Sequence, residues 1–376
     1  MSRGLGDVYK RQDLTHVQGT MFFVASTPQT GRELWKTDGT WKGTKLVRDI
    51  LPGPGGSRPY DLTGYKGKLY FLSQSGSGPT QLWKSDGTRA GTKLVKRIAT
   101  VDAPDVPWLQ RAGGLLYING HDRTHGMELW RSDGTPKGTR MLKDLLPGPQ
   151  GASPREGVAA AGGKVLFSAR HRDGFELYRT DGTAKGTKLL RNITSGPAGS
   201  SPRWLTTVGK KAFFSADRPD IGRELWVSDG TYKGTRLVKE FYPGPQGSDP
   251  QWLTPAAGRL YLAATGEKTG FEVRSTNGTK AGTRLARDIA PGTASSQARD
   301  LIGVAGGLFF FAQANDGLEP WRSKGSPKNT RQQKDVNAGP SGSHADTNRS
   351  VGKEGKRAFF AARSLGRGTE LWMWKP

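Results

Sequence analysis

Gly67-Lys68-Leu69-Tyr70-Phe71, then Gln81-Leu82-Trp83-Lys84-Ser85-Asp86-Gly87-Thr88-Arg89-Ala90-Gly91-Thr92, then Lys93-Leu94-Val95-Lys96 is the stretch on which the fold turns. Three short runs of apolar, aromatic and β-branched residues are separated by polar turn residues, which is the composition of strands. Leu62-Thr63 opens a further run just upstream. An Asp at the head of the turn can accept hydrogen bonds from backbone N–H groups two or three residues on. The first Gly then supplies a positive φ, and the second lets the chain re-enter the sheet.

The same order of signals recurs along the chain. The triplet at Gln81 has counterparts beginning at Glu33, Glu128, Glu176, Glu224, Glu272, Glu319 and Glu370, at spacings of 48, 47, 48, 48, 48, 47 and 51 residues. The Asp-Gly turn follows at Asp38, Asp86, Asp133, Asp181 and Asp229; Asn277-Gly278 keeps its chemistry, and Lys324-Gly325 loses the acceptor. Four short strands per 40–50 residues is the signature of propeller blades, and no stretch sustains a helical period. The spacing predicts an all-β, eight-bladed β-propeller of four-stranded antiparallel blades, with units at about 14–50, 62–98, 109–145, 158–193, 205–241, 253–289, 301–336 and 351–376. The last unit is incomplete: after Glu370-Leu371-Trp372 no fourth strand follows, and the expectation is that the opposite terminus once supplied it. Pro/Gly/Ser runs such as Pro52-Gly53-Pro54-Gly55-Gly56-Ser57 read as stiff connectors; they lack the Gly-Lys-Ser/Thr ending of a phosphate loop.

Glu33-Leu34-Trp35-Lys36-Thr37-Asp38-Gly39-Thr40 and Glu224-Leu225-Trp226-Val227-Ser228-Asp229-Gly230-Thr231 resemble the defining motif of the bacterial ELWxxDGT-repeat proteins. The resemblance covers 13–376, with departures at Gln81, Tyr178, Glu272-Val273-Arg274 and Pro320. It implies a bacterial, usually exported protein, extracellular or at the cell surface, and implies no particular activity.

Residues 1–12 stand apart. Asp7-Val8-Tyr9-Lys10-Arg11-Gln12 resembles the translation of a transposon mosaic-end adaptor, so this segment reads as a scar in which an export signal would be missing, and 13–376 as a single propeller. The chain has no cysteine, which excludes disulfides and thiolate metal sites. No run approaches the ~20 apolar residues of a membrane span. The formal net charge is +24, from 57 Lys and Arg against 33 Asp and Glu, a surplus that favours anionic partners and opposes self-association, so a monomer is expected.

Most conspicuous residues are periodic. Trp35, Trp83, Trp130, Trp226, Trp321 and Trp372 share the triplet position and read as packing between blades. Trp108, Trp204 and Trp252 differ: each precedes the Leu of an opening strand and occurs in only some units, so each is a candidate for stacking on a ligand. Lys42, Lys137, Lys185 and Lys233 lie inside the turn, and together with basic residues after the triplet aromatic and at the head of the last strand they would form positive bands. The alternative is a solvated surface with cross-strand pairs to the triplet glutamates. His121 and His125 lack the setting of a metal site, no carboxylate pair or nucleophile elbow stands out, and no cofactor is implied. The expectation is a non-catalytic extracellular binding or scaffold propeller engaging a polyanion such as acidic polysaccharide, lipopolysaccharide or nucleic acid. The alternatives are a protein–protein interaction or structural surface module, and a glycan hydrolase or lyase.

Overall fold

The computed structural model describes residues 14–74, 78–100, 103, 107–172, 174–314, 317–333, 342–343, 351–354, 357–364 and 368–374. The segment read as a scar lies outside them. Successive strands pair antiparallel with their sequence neighbours, giving seven four-stranded sheets and one three-stranded sheet among the described residues. The fifth is representative: Arg203–Val208, Lys211–Arg218, Gly222–Ser228 and Arg236–Lys239. The eighth comprises Val351–Glu354, Arg357–Ser364 and Gly368–Trp374. Among the described residues the sole helix is a 3-10 turn at Pro327–Asn329, in the unit whose turn lost its acceptor. The sheets are therefore all-β blades, as the spacing predicts.

The chain divides into two compact units. One comprises 1–158, 169–171 and 180–188; the other takes the remainder, and the division passes through the fourth sheet. In the first, Phe22, Val24 and Leu34 of one sheet pack with Leu69 and Phe71 of the next, and Leu72 and Leu82 pack with Leu116 and Ile118. In the second, Leu166 and Leu177 meet Phe214 and Trp226, Leu225 and Val238 meet Leu260 and Leu262, and Tyr261 and Val273 meet Phe310 and Trp321. Each apolar cluster lies between consecutive sheets, the nearest-neighbour packing of a repeat protein.

The turn is built as its residues require. Asp229 Oδ1 accepts from Thr231 N at 2.9 Å and Thr231 Oγ1 at 2.7 Å, and Gly234 N donates to Thr231 Oγ1 at 2.9 Å. Those donors hold the Asp229 carboxyl below the usual range, the Thr231 hydroxyl foremost. Ser228 and Thr235, seven residues apart, join their hydroxyls at 2.7 Å and close the loop. Gly230 has φ 87°, and a Cβ on Gly234 would lie 2.1 Å from Asp229 Oδ1. The second glycine is thus required by the aspartate it packs on, a reason beyond strand re-entry. The seventh turn keeps the hydroxyl pair through Ser323 and Thr330 at 2.7 Å, without the acceptor.

Two departures from the repeat motif have local uses. Gln81 turns its Oε1 to the indole Nε1 of Trp83 at 3.0 Å. Arg274 fills the tryptophan slot of the sixth sheet, buried with its guanidinium 5.0 Å from the Phe241 ring and Nη2 on Thr269 Oγ1 at 2.9 Å. Burial pushes the Arg274 pKa down.

Candidate functional site

Glu33, Glu128, Glu176, Glu224, Glu272 and Glu319 of the triplets are buried under the connectors. Glu33 accepts from Leu51 N at 3.1 Å, Ser57 N at 2.8 Å and Ser57 Oγ at 2.6 Å. Glu176 holds Ile193 N at 2.8 Å and both donors of Ser200 in the same way. Ser248 Oγ binds Glu224 at 2.6 Å, Ser296 Oγ binds Glu272 at 2.8 Å, and Ser343 Oγ binds Glu319 at 2.7 Å. Removing a carboxylate from water costs more than these donors return, so burial pushes Glu33 and Glu272 up and carries Glu128 and Glu224 up to about 7. The expected surface pairing of these glutamates with basic residues gives way to a buried clasp. Its signal was legible: a Ser stands 24 residues after each of Glu33, Glu176, Glu224, Glu272 and Glu319.

Periodic cations join consecutive sheets. Arg48 donates to Thr92 O at 2.6 Å, Lys96 to Thr139 O at 2.7 Å, Arg191 to Thr235 O at 2.5 Å and Arg287 to Thr330 O at 3.1 Å. The same four lie 5.8–5.9 Å from the ring centroids of Trp83, Trp130, Trp226 and Trp321, the triplet tryptophans of the next sheet. Arg131 and Arg179, following the triplet aromatic, reach the turn carbonyls of Gly182 at 2.9 Å and Gly230 at 2.8 Å. A cation above an indole face with a carbonyl at its tip is satisfied within the fold. These six cations are therefore satisfied within the fold, and their recurrence alone does not mark them as ligands of a polyanion.

The candidate residues separate. Lys42, Lys137, Lys185 and Lys233 are exposed at their turns. Trp108 is tied down in its unit, its N–H donating to Asn119 Oδ1 at 2.5 Å and its indole Nε1 to Pro154 O at 3.3 Å. Trp204 and Trp252 come together in the other unit, ring centroids 5.8 Å apart and planes tilted 39°. Both occupy left-handed backbone, φ 60° and 57°. Each sits in a bulge of the opening strand, between Arg203 and Thr206 and between Gln251 and Thr254. Asp61 (φ 52°) and Asp300 (φ 54°) precede the opening-strand Leu of their units, and Gly157 (φ 79°) precedes Val158, so the left-handed position recurs with residues that tolerate it better. Trp252 packs beside Tyr261 and Trp321, whereas Trp204 remains 37% exposed. Among the described residues no three His, Cys, Asp or Glu converge on a metal-sized site. His121 Nδ1 meets Thr100 Oγ1 at 2.6 Å, and His125 pairs with Asp122 at 2.9 Å. No helix of the described residues is long and apolar enough to cross a membrane.

No protein-family profile and no curated protein matches this chain. Solved structures do. A structure from a study of two prolyl endopeptidases is 11% identical, covering 94% of this chain and 54% of its own, with a TM-score of 0.54. Puromycin hydrolase is 13% identical over 94% of this chain and 58% of its own, with a TM-score of 0.46. The β-propeller domain of the Trilobed protease from Pyrococcus furiosus is 10% identical over 87% of this chain and 97% of its own, with a TM-score of 0.46. The chain spans little more than half the length of the first two. The first of these, with the TM-score of 0.54, comes from a study of prolyl endopeptidases, which overturns the expectation of a non-catalytic polyanion-binding or scaffold module and its interaction-module and glycan-cleaving alternatives. What this chain is similar to is the propeller architecture that occurs in such peptidases.

Proposed function

We propose that this chain is the propeller portion of a peptidase-type protein, receiving peptide substrate and governing its access to a catalytic portion. The observation that supports the reading is the fold likeness over 94% of this chain to 54% of a prolyl endopeptidase, whose study ties inter-domain dynamics to catalysis and specificity. The finer architecture belongs to the same proposal: eight blades, the last with three strands, built of ELWxxDGT-type units in an exported protein. The test is the intact polypeptide encoded at this chain's locus, assayed against a panel of fluorogenic peptidyl amides, with this chain alone assayed for binding of a defined peptide library. Peptide cleavage by the intact polypeptide, and peptide binding without cleavage by this chain, are expected. An intact polypeptide that cleaves no peptide, together with a chain that binds none, overturns it.

A further inference from the structure

The bulge that carries Trp204 and Trp252 is a poor place for tryptophan. A bulky residue with positive φ costs on the order of 1–3 kcal/mol, and the fold itself places Gly157, Asp61 and Asp300 in the same conformation. Trp252 recovers something by packing against its core cluster, whereas Trp204 leaves more than a third of its surface in solvent. Arg203 and Trp204, consecutive in the opening strand, are both exposed. Among the described residues the Arg203 side chain has neither a hydrogen bond nor an ion pair, unlike the clasp cations. An unpaired guanidinium therefore belongs to the residue just before Trp204, whose indole is backed by that of Trp252.

We propose that Arg203, Trp204 and Trp252 form a binding site for the C-terminal end of a peptide carrying an aromatic side chain. This rests on the peptide reading above and names the end of the peptide that is read. The guanidinium presents parallel N–H donors matched to a carboxylate. The Trp204 face takes the ring, and Trp252 holds that face in place. A polyanion would need an array of such cations; this is one cation beside one aromatic platform, sized for a single terminal carboxylate.

The experiment is ligand-observed NMR of the full chain with N-acetylphenylalanine, its C-terminal amide, and a longer peptide blocked at both ends. The free acid is expected to bind about tenfold more tightly than the amide, the loss of one charge-assisted pair. Arg203→Gln removes that discrimination while leaving residual binding of both. Trp204→Gly removes binding of both, and its melting temperature holds or rises because glycine suits the backbone there. Equal binding of acid and amide to the unaltered chain, or acid binding undiminished in Trp204→Gly, overturns the site. If the acid fails and the blocked peptide binds, this inference falls while the peptide reading stands; if neither binds, both fall.

Discussion

Glu128 reaches across to Ala152 and meets only its backbone N–H, at 3.0 Å, with Oε2 buried and without a partner. In the sheets of Glu33, Glu176, Glu224, Glu272 and Glu319 a serine stands at the corresponding place and its hydroxyl meets the second oxygen. Ala152→Ser supplies the missing donor in a position the fold already uses for serine. It should stabilise the chain by about 1 kcal/mol and raise the melting midpoint by about 2 °C. A midpoint that falls would show that the Glu128 clasp lacks the geometry of the others.

The same carboxylate makes stability depend on pH. Its folded pKa, about 7, lies above its unfolded value near 4.5, so the folded chain holds the extra proton between them. The contribution is full below about pH 4.5 and is lost as pH rises through 7; Glu224 behaves alike. Glu128→Gln cannot ionise. Its stability relative to the unaltered chain should therefore improve by about 2 kcal/mol between pH 5 and 8, measured by denaturant titration at both. A gap that stays constant with pH would place the Glu128 pKa at its ordinary value.

Arg191 donates to Thr235 O at 2.5 Å and lies 5.9 Å from Trp226 and 4.9 Å from Tyr232. Arg191→Ala should cost about 2 kcal/mol, and Arg191→Lys about half of that. The acceptors are a neutral carbonyl and two rings, so the loss should be nearly the same in dilute and in concentrated salt. A loss that shrinks steeply with salt would instead indicate pairing with an acidic group.

Gly234→Ala forces a Cβ onto Asp229 Oδ1, 2.1 Å away. It should cost about 2 kcal/mol or more. Adding Asp229→Ala should relieve the clash, so the double variant is less destabilised than the sum of the two singles. Additive losses would mean that the alanine is resisted by something other than the aspartate.

The repeat was legible because fold and sequence share a period. Glu224 through Lys239 announces strand, Asx turn and return strand within sixteen residues, since each partner is local. The destination of Glu33 was harder, because its serine lies 24 residues on in a stretch that reads as mere connector. Arg191 was not legible for a related reason: its partner Thr235 is 44 residues away, and a cation repeated from unit to unit looks the same whether solvated or bonded. At the candidate site the sequence singled out Trp108, Trp204 and Trp252 alike. Only backbone conformation separates Trp204 and Trp252, in left-handed bulges, from Trp108, which has no such φ.

Arg131 in the third sheet and Lys143 just after it reach forward to Gly182 and Thr187, and the turn Thr180–Lys188 accordingly belongs to the compact unit that holds that third sheet. The piece that keeps its own bonds is therefore offset from the sheet by one turn. A designer who trims, duplicates or permutes this chain at sheet boundaries would strand a row of cations over nothing. Cutting after the following Gly-Thr would leave every hand still holding what it grips.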